Sequence, residues 1–301
     1  MKPQIIFLVG PTAAGKTVLA IKIAQKLNAE IISCDSMQIY KGMEILSSQP
    51  SKAELKKVRH HLLSEVNPEK EFDVSRYRSL ALRKIKEIHK KGKLPLFVGG
   101  SGLYMSIVID GIFKVKAEDK NIREKLYCQA GRRGSLYLHQ RLAKVDPQAA
   151  SRIHPNDTKR IVRALEVFEV SGKPISELQA TRVGLGNKYD IHILGLDIPR
   201  VKLDLKINKR VEKMFRQGLV NEVKKLLKLK LSRTSCYAIG IKEVQGYLEG
   251  FYGLKEAREL IKKNTRHYAR RQMTWFRKDK RIKWITDQKT VSGMLKVHCP
   301  D

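Results

Sequence analysis

The chain of 301 residues carries 61 Lys+Arg against 30 Asp+Glu, a formal net charge of +31, with 42% hydrophobic and 30% charged residues. That length exceeds one small core and suggests one large domain or two, and no run approaches the ~18 apolar residues of a membrane-spanning helix. So large a basic excess points to a polyanionic partner, because each phosphate neutralised releases counterions.

Gln4–Val9 is an almost unbroken apolar run, the pattern of a strand buried on both faces. Its start at residue 4 is expected to leave no room for a signal peptide. Directly behind it stand Gly10, Pro11, Thr12, Ala13, Ala14, Gly15, Lys16 and Thr17, a match to G-x-x-x-x-G-K-[ST]. Residues 18–27 follow with Leu19, Ile23 and Leu27 at helical spacing. Between a strand and a helix, such a loop turns backbone N–H groups onto phosphates; Lys16 adds a point charge and the Thr17 hydroxyl suits Mg²⁺.

A second strand at 29–34 runs into Asp35-Ser36-Met37-Gln38-Ile39-Tyr40. Ligands of doubly wound α/β sheets lie at the carboxyl ends of strands, so Asp35 falls near the phosphates if this strand neighbours the first. There it would bind Mg²⁺ through water or take a proton; otherwise it caps a turn. The polar, basic stretch 49–67 holds His60 and His61, which would point different ways on a helix, so a surface or core role is expected instead of a metal pair. Residues 72–91 read as a helix ended by Gly92, and 94–98 as a third buried strand. The glycine-rich turn Gly99-Gly100-Ser101-Gly102 can then bring amides and the Ser101 hydroxyl against a ligand.

The strand–helix alternation stops between about 116 and 189, where 121–130, 135–145 and 157–171 look helical. In the last of these Ile161, Leu165 and Phe168 form an apolar stripe, while Lys159, Arg160 and Arg163 share another face. A strand returns at 190–199, followed by a helix whose stripe is Ile207, Val211, Met214 and Phe215, with Arg210 off it. A helix at 220–229 and a turn into another at 237–242 come next. The last long helix, 254–278, carries Ile261, Tyr268 and Trp275 seven apart, and Lys262, Arg266 and Arg270 on a different face. A short strand at 281–286 precedes a polar tail. Cys34, Cys128, Cys236 and Cys299 are scattered, which argues for reduced thiols in a cytosolic protein and against structural zinc.

The expected fold class is α/β, a P-loop NTPase-like parallel sheet flanked by helices, with an inserted all-helical subdomain. Its parts are a first core segment (1–115), the insert (116–189) and a second core segment with basic C-terminal helices (190–301). The reaction stays open at this level. An apolar strand ending in a magnesium-binding Asp is represented only loosely, by 193–197 with Asp197.

The phosphate loop, 35–40, Gly99-Gly100-Ser101-Gly102-Leu103-Tyr104, His154-Pro155-Asn156-Asp157 with Arg160 and Arg163, and Arg270-Arg271-Gln272-Met273-Thr274-Trp275-Phe276 together resemble bacterial tRNA dimethylallyltransferases, the IPP transferase family. The likeness runs in order along essentially the whole chain. It implies a cytoplasmic, Mg²⁺-dependent, monomeric enzyme that leaves membranes alone. Its substrates would be dimethylallyl diphosphate and the anticodon stem-loop of tRNA, with the group transferred to the N6 amine of adenosine-37. Under the resemblance Gly10 to Thr17 hold the diphosphate, Thr17 the metal, Asp35 is the general base, and Ser101 and Arg210 stabilise the departing diphosphate. The same likeness puts Asp35, Ser36, Met37, Gln38 and Ser101 on the target base. Arg123, Lys159, Arg160, Ile161, Val162 and Arg163 in the insert, and Tyr237, Ala238, Ile239, Gly240, Ile241 and Lys242 beyond it, would contact tRNA. The family usually has Thr where Ser101 stands, and Arg is common where Lys242 stands; a lysine lacks the bidentate fork for phosphate. The alternatives are a P-loop nucleotide kinase or an adenylate isopentenyltransferase acting on free nucleotide, and a non-catalytic RNA-binding protein.

Overall fold

The computed structural model describes residues 2–113 and 119–285. These form two compact units: residues up to Ile109 with those from Gly186 onward, and 110–185. The expected boundary at 115/116 lies outside the described residues, and so do Cys299 and the last residue of the strand expected at 281–286.

The larger unit is built on six parallel strands: β1 (Gln4–Val9), β2 (Ala29–Ser33), β3 (His60–His61), β4 (Leu94–Gly99), β5 (Asp190–Leu196) and β6 (Ile282–Ile285). Their order is β3-β2-β4-β1-β5-β6. The four central strands carry the longest apolar runs because both their faces are covered: Ile5, Phe7 and Leu8 are inaccessible to solvent, and Phe7 stacks on Phe97 with ring centroids 4.5 Å apart. Helices α1 (Lys16–Lys26), α2 (Lys52–Lys57), α3 (Val74–Lys90) and α4 (Gly102–Asp110) connect the first four strands and close this segment. Helix α3 starts where the Asp73 carboxylate accepts from Arg76 N–H and stops before Gly92 at φ 66°.

The sheet order corrects one premise. β2 pairs with β3 and β4, and β4 separates it from β1. Asp35 nevertheless reaches the phosphate loop, because the parallel register aligns Val9 with Gly99 and Ser33 with Val98, so all three loops leave the same edge of the sheet. The histidine pair takes the core role expected of it, on an edge strand and not on a helix. His60 and His61 form that strand, and alternation along it turns His61 inward, where its ring nitrogen lies 2.7 Å from the buried Glu30 carboxylate. Burial alone would raise the Glu30 carboxyl; the bonds from His61 and Lys93 overcome this and hold it at about 2.

The smaller unit is helical: α5 (Lys120–Val145), α6 (Pro147–Arg152), α7 (Thr158–Ser171) and α8 (Ile175–Ala180). The two helices expected at 121–130 and 135–145 run into one element broken at Gly134 (φ 81°, ψ 161°), a backbone state that other residues rarely adopt. Leu126, Leu138, Leu142, Ile161, Val162 and Leu165 form this unit's own core. Asp157 caps α7 through Arg160 N–H, and Gly172 in the left-handed region ends it.

After β5 come α9 (Arg200–Arg216), α10 (Leu219–Leu226), a 3₁₀ turn at Ser235–Tyr237, α11 (Ile241–Leu248) and α12 (Leu254–Phe276). The basic face expected on α12 is largely met by α9. Lys262 pairs with Glu212 at 2.8 Å, Arg258 with Glu212 at 3.3 Å, and Arg266 donates to Asn208 at 2.8 Å, while Arg270 is exposed. No helix among the described residues is long and apolar enough to cross a membrane.

Candidate active site

Three loops at the carboxyl edge of the sheet build the site. The phosphate loop bends at Gly10 (φ 147°), Ala13 (φ 61°) and Gly15 (φ 93°), and Gly15 opens α1 with no side-chain cap. The first-turn N–H groups of α1 therefore point outward from a positive helix end, the arrangement that binds anions. A β carbon at Gly10 would come within 3.1 to 3.4 Å of Leu196 on β5, so this turn needs glycine for space as well as for φ.

Lys16 folds back over the loop, its ammonium donating to the carbonyls of Gly10 (2.9 Å) and Pro11 (2.7 Å). Burial lowers its pKa to about 8; the Asp35 carboxylate works against that and the Arg210 guanidinium with it. Burial likewise lowers the Arg210 pKa, again against Asp35. Lys16, Asp35 and Arg210 thus share one electrostatic neighbourhood, although they come from α1, the loop after β2, and α9. Arg210 also donates to the Ser47 carbonyl at 3.4 Å.

Asp35 is held by an Asx turn, with Met37 N–H donating to its Oδ1 at 2.9 Å. The turn it makes locally and a reactive role are therefore compatible, since the second carboxylate oxygen takes no part in the bond. Gln38 faces inward, accepting from the Ser33 hydroxyl at 2.8 Å and donating to the Ser47 carbonyl. Ser36 and Met37 are half-buried in the same turn. Cys34 is a buried thiol whose pKa burial pushes up to about 12, so it stays protonated and packs. Ser101 N–H donates to the Cys34 carbonyl at 3.1 Å, and its hydroxyl accepts from Tyr104 N–H at 3.4 Å as the cap of α4. Asp197 is taken up elsewhere, with its carboxylate 3.7 Å from Arg277.

Two residues here carry no site role in the sequence reading, although Gln272 stands in one of its motifs and Tyr268 in its seven-residue spacing. Gln272, 5% exposed, accepts from Thr12 N–H at 2.8 Å and donates to the Gly100 carbonyl at 2.9 Å. Tyr268, one turn earlier on α12, has its hydroxyl pKa raised by burial and by Asp35; it interacts with the Gln272 side chain and shares the electrostatic neighbourhood of Arg210. A polar residue amid helix-forming neighbours gives no local sign of this role; only the seven-residue spacing of Ile261, Tyr268 and Trp275 marked the face as turned inward.

Among the described residues no group of three His, Cys, Asp or Glu side chains could by itself hold a metal ion. The Thr17 hydroxyl and the Asp35 carboxylate are oxygen donors of the kind that suit Mg²⁺, which keeps several waters and takes its remaining ligands from substrate phosphates.

The residues expected to meet RNA divide by burial. In the helical unit Lys159 and Arg160 are exposed, whereas Ile161 and Val162 are 0% and 1% exposed and belong to its core. Arg123 and Arg163 both bond the buried Glu166 carboxylate at 2.9 Å, which gives them a structural role. In the larger unit Tyr237 is 62% exposed and the Lys242 amine lies 5.5 Å from its ring centre, while Ala238, Gly240 and Ile241 are buried and Ile239 is half-buried. Gly240 (φ 113°) turns the chain there, its N–H donating to Glu243 at 2.8 Å. Tyr237, Lys242, Asn264, His267 and Arg271 line a cavity of about 190 Å³ beside this turn.

A family model described as IPP transferase matches residues 38–279. A tRNA dimethylallyltransferase of Geobacter sulfurreducens is 46% identical over 94% of this chain and 92% of its own length. One from Bacillus subtilis is 44% identical over 98% and 94%. Among solved structures, the tRNA isopentenylpyrophosphate transferase of Bacillus halodurans superposes with a TM-score of 0.71 at 37% identity, covering 98% of this chain and 97% of that one. A eukaryotic dimethylallyltransferase acting on tRNA gives 0.77 at 30% identity, over 91% of this chain and 69% of that one.

Proposed function

The chain belongs to the IPP transferase family, and from that premise we propose that it transfers a dimethylallyl group from dimethylallyl diphosphate to the N6 amine of adenosine-37 in tRNA, releasing diphosphate. The observation that carries this reading is the convergence of Lys16, Arg210 and Asp35 beside an uncapped helix N-terminus. Two cations and an anion-binding loop suit a diphosphate leaving group, and a carboxylate at its rim suits an amine that must lose a proton.

In the transfer, the adenine nitrogen attacks the allylic carbon, the carbon–oxygen bond to diphosphate breaks, and the electron pair leaves with the diphosphate. Lys16 exchanges its two carbonyl acceptors for phosphate oxygens, and Arg210 meets the charge that grows as the bond breaks. The amine proton passes to the unshared oxygen of Asp35, with the Met37 N–H fixing the carboxylate's direction. The Ser101 hydroxyl, fixed at the start of α4, donates to a departing oxygen. Bound at the Thr17 hydroxyl, Mg²⁺ would supply further charge neutralisation on the diphosphate. The base must leave its stack to reach Asp35, and Gln38 would contact it on exchanging its bonds to Ser33 and Ser47. Lys159, Arg160, Tyr237, Lys242 and Arg270 offer exposed cationic or aromatic contacts for the RNA backbone and bases.

The test is incubation of undermodified tRNA with labelled dimethylallyl diphosphate and Mg²⁺, followed by nucleoside analysis. Label in N6-prenylated adenosine of tRNA is the expected result. Label entering free AMP instead would move the protein to the adenylate isopentenyltransferases, and ATP turnover without either product would refute a prenyl-transfer role.

A further inference from the structure

We propose that Gln272 is a positioning residue for the diphosphate: its buried amide fixes the spacing between the phosphate loop and the Ser101 turn. The proposal rests on the reading that these two loops hold the diphosphate.

A side-chain amide is seldom buried unless both its ends are paired. Gln272 meets that condition with one bond to each loop, to the Thr12 N–H and to the Gly100 carbonyl. Both partners are main chain, so the amide fixes the path of the two loops and not a side-chain rotamer. The chemistry of the partners also fixes its orientation: an N–H needs the amide oxygen and a carbonyl needs the amide nitrogen. Gly100 is shaped to this contact, since a β carbon there would stand 2.1 Å from the Gln272 nitrogen. The same stripe of α12 serves the neighbouring parts of the site. Tyr268 lies in the electrostatic neighbourhood of Arg210 and Asp35, and the Trp275 ring closes over Gly102, where a β carbon would stand 2.1 Å from it. One helix face thus braces the phosphate loop and the Ser101 turn, and Gln272 is its polar link to both. A residue needed for packing alone could be Leu or Met, and the loops would then choose their own separation.

The experiment uses the full chain carrying Gln272→Leu, Gly100→Ala or both. Calorimetry with inorganic pyrophosphate and Mg²⁺ measures the cradle, filter binding measures tRNA, and steady-state kinetics separate KM for dimethylallyl diphosphate from kcat. Gln272→Leu should weaken pyrophosphate binding roughly five- to 100-fold, the range for leaving buried partners unpaired, with tRNA affinity within about twofold of wild type. Gly100→Ala displaces the amide from the other side and should act in the same direction, so the double variant should fall well short of the product of the two losses. Should Gln272→Leu fail to fold, Gly100→Ala carries the test with the amide still present. Pyrophosphate affinity within twofold of wild type in a folded variant overturns the proposal, as does equal weakening of pyrophosphate and tRNA together with a lowered melting temperature. Wild-type protein that binds pyrophosphate but prenylates no tRNA would refute the proposed function instead, and the pyrophosphate comparison would still decide the role of Gln272.

Discussion

Lys16 provides a prediction with a defined slope and sign. In the free protein burial brings its pKa from 10.5 to about 8, with Arg210 adding to the effect and Asp35 opposing it. A bound diphosphate favours the ammonium and returns the pKa toward or above its ordinary value. The amine is therefore charged in both states below about pH 8, and affinity is then at its full value. Above that pH the free protein has lost the proton and binding must take one up, so affinity falls by up to tenfold per pH unit until the pKa of the complex is passed. A return to the ordinary 10.5 spans about 2.5 units, a fall of a few hundredfold, and a bound pKa above that extends the fall to higher pH. Diphosphate titrates in this range too, so the comparison is with Lys16→Arg, whose guanidinium stays charged throughout. Calorimetry with pyrophosphate from pH 7 to 10, in buffers of differing ionisation enthalpy, should show proton uptake and a falling affinity in the wild type beyond that of Lys16→Arg. Identical slopes in the two proteins would mean that Lys16 keeps its proton in the empty site, and the argument from burial would fail.

Asp35→Asn preserves the size of the side chain and an oxygen for Met37 N–H while removing the base, so single-turnover transfer should slow by ~10²–10⁴ with pyrophosphate and tRNA affinities nearly unchanged; transfer near the wild-type rate would assign the proton to another acceptor. The arginines of the helical unit should separate from its lysine and arginine at the start of α7. Arg123→Ala leaves the buried Glu166 paired with Arg163 and should cost about 1–3 kcal/mol in chemical denaturation, below the figure for a buried carboxylate stripped of every partner. Lys159→Ala with Arg160→Ala should leave stability within about 0.5 kcal/mol and lower the salt dependence of tRNA binding by about one to two in log–log slope; an unchanged slope would remove that face from the RNA contact.

The strands, the phosphate loop and most helix ends were legible because their signals are local. An apolar run, a glycine at positive φ and a capping carboxylate each act within a few residues, and Gln4–Val9, Gly15 and Asp157 could be read directly. Sheet order is not local. The separation of β2 from β1 by β4 follows from pairing partners far apart in sequence, and so does the inward turn of His61 to Glu30. Gln272 was hidden for the same reason: its two partners lie on other loops, and a glutamine in a helix is ordinary when read alone. The charge count was the least transferable signal, because a net excess does not say which cations already have partners. Arg123 and Arg163 meet Glu166, and Lys262 and Arg258 meet Glu212, so these side chains stabilise helix packing before they can meet RNA. The i, i+3 spacing of Arg163 and Glu166 was visible in the sequence and could have predicted one of those pairs. A polyanion docking on this chain meets the exposed cations, Lys159, Arg160, Lys242 and Arg270 among them, of which Arg160 also pairs with Asp157 at 3.3 Å. Its salt dependence will reflect that exposed set and fall well short of the full excess of thirty-one charges.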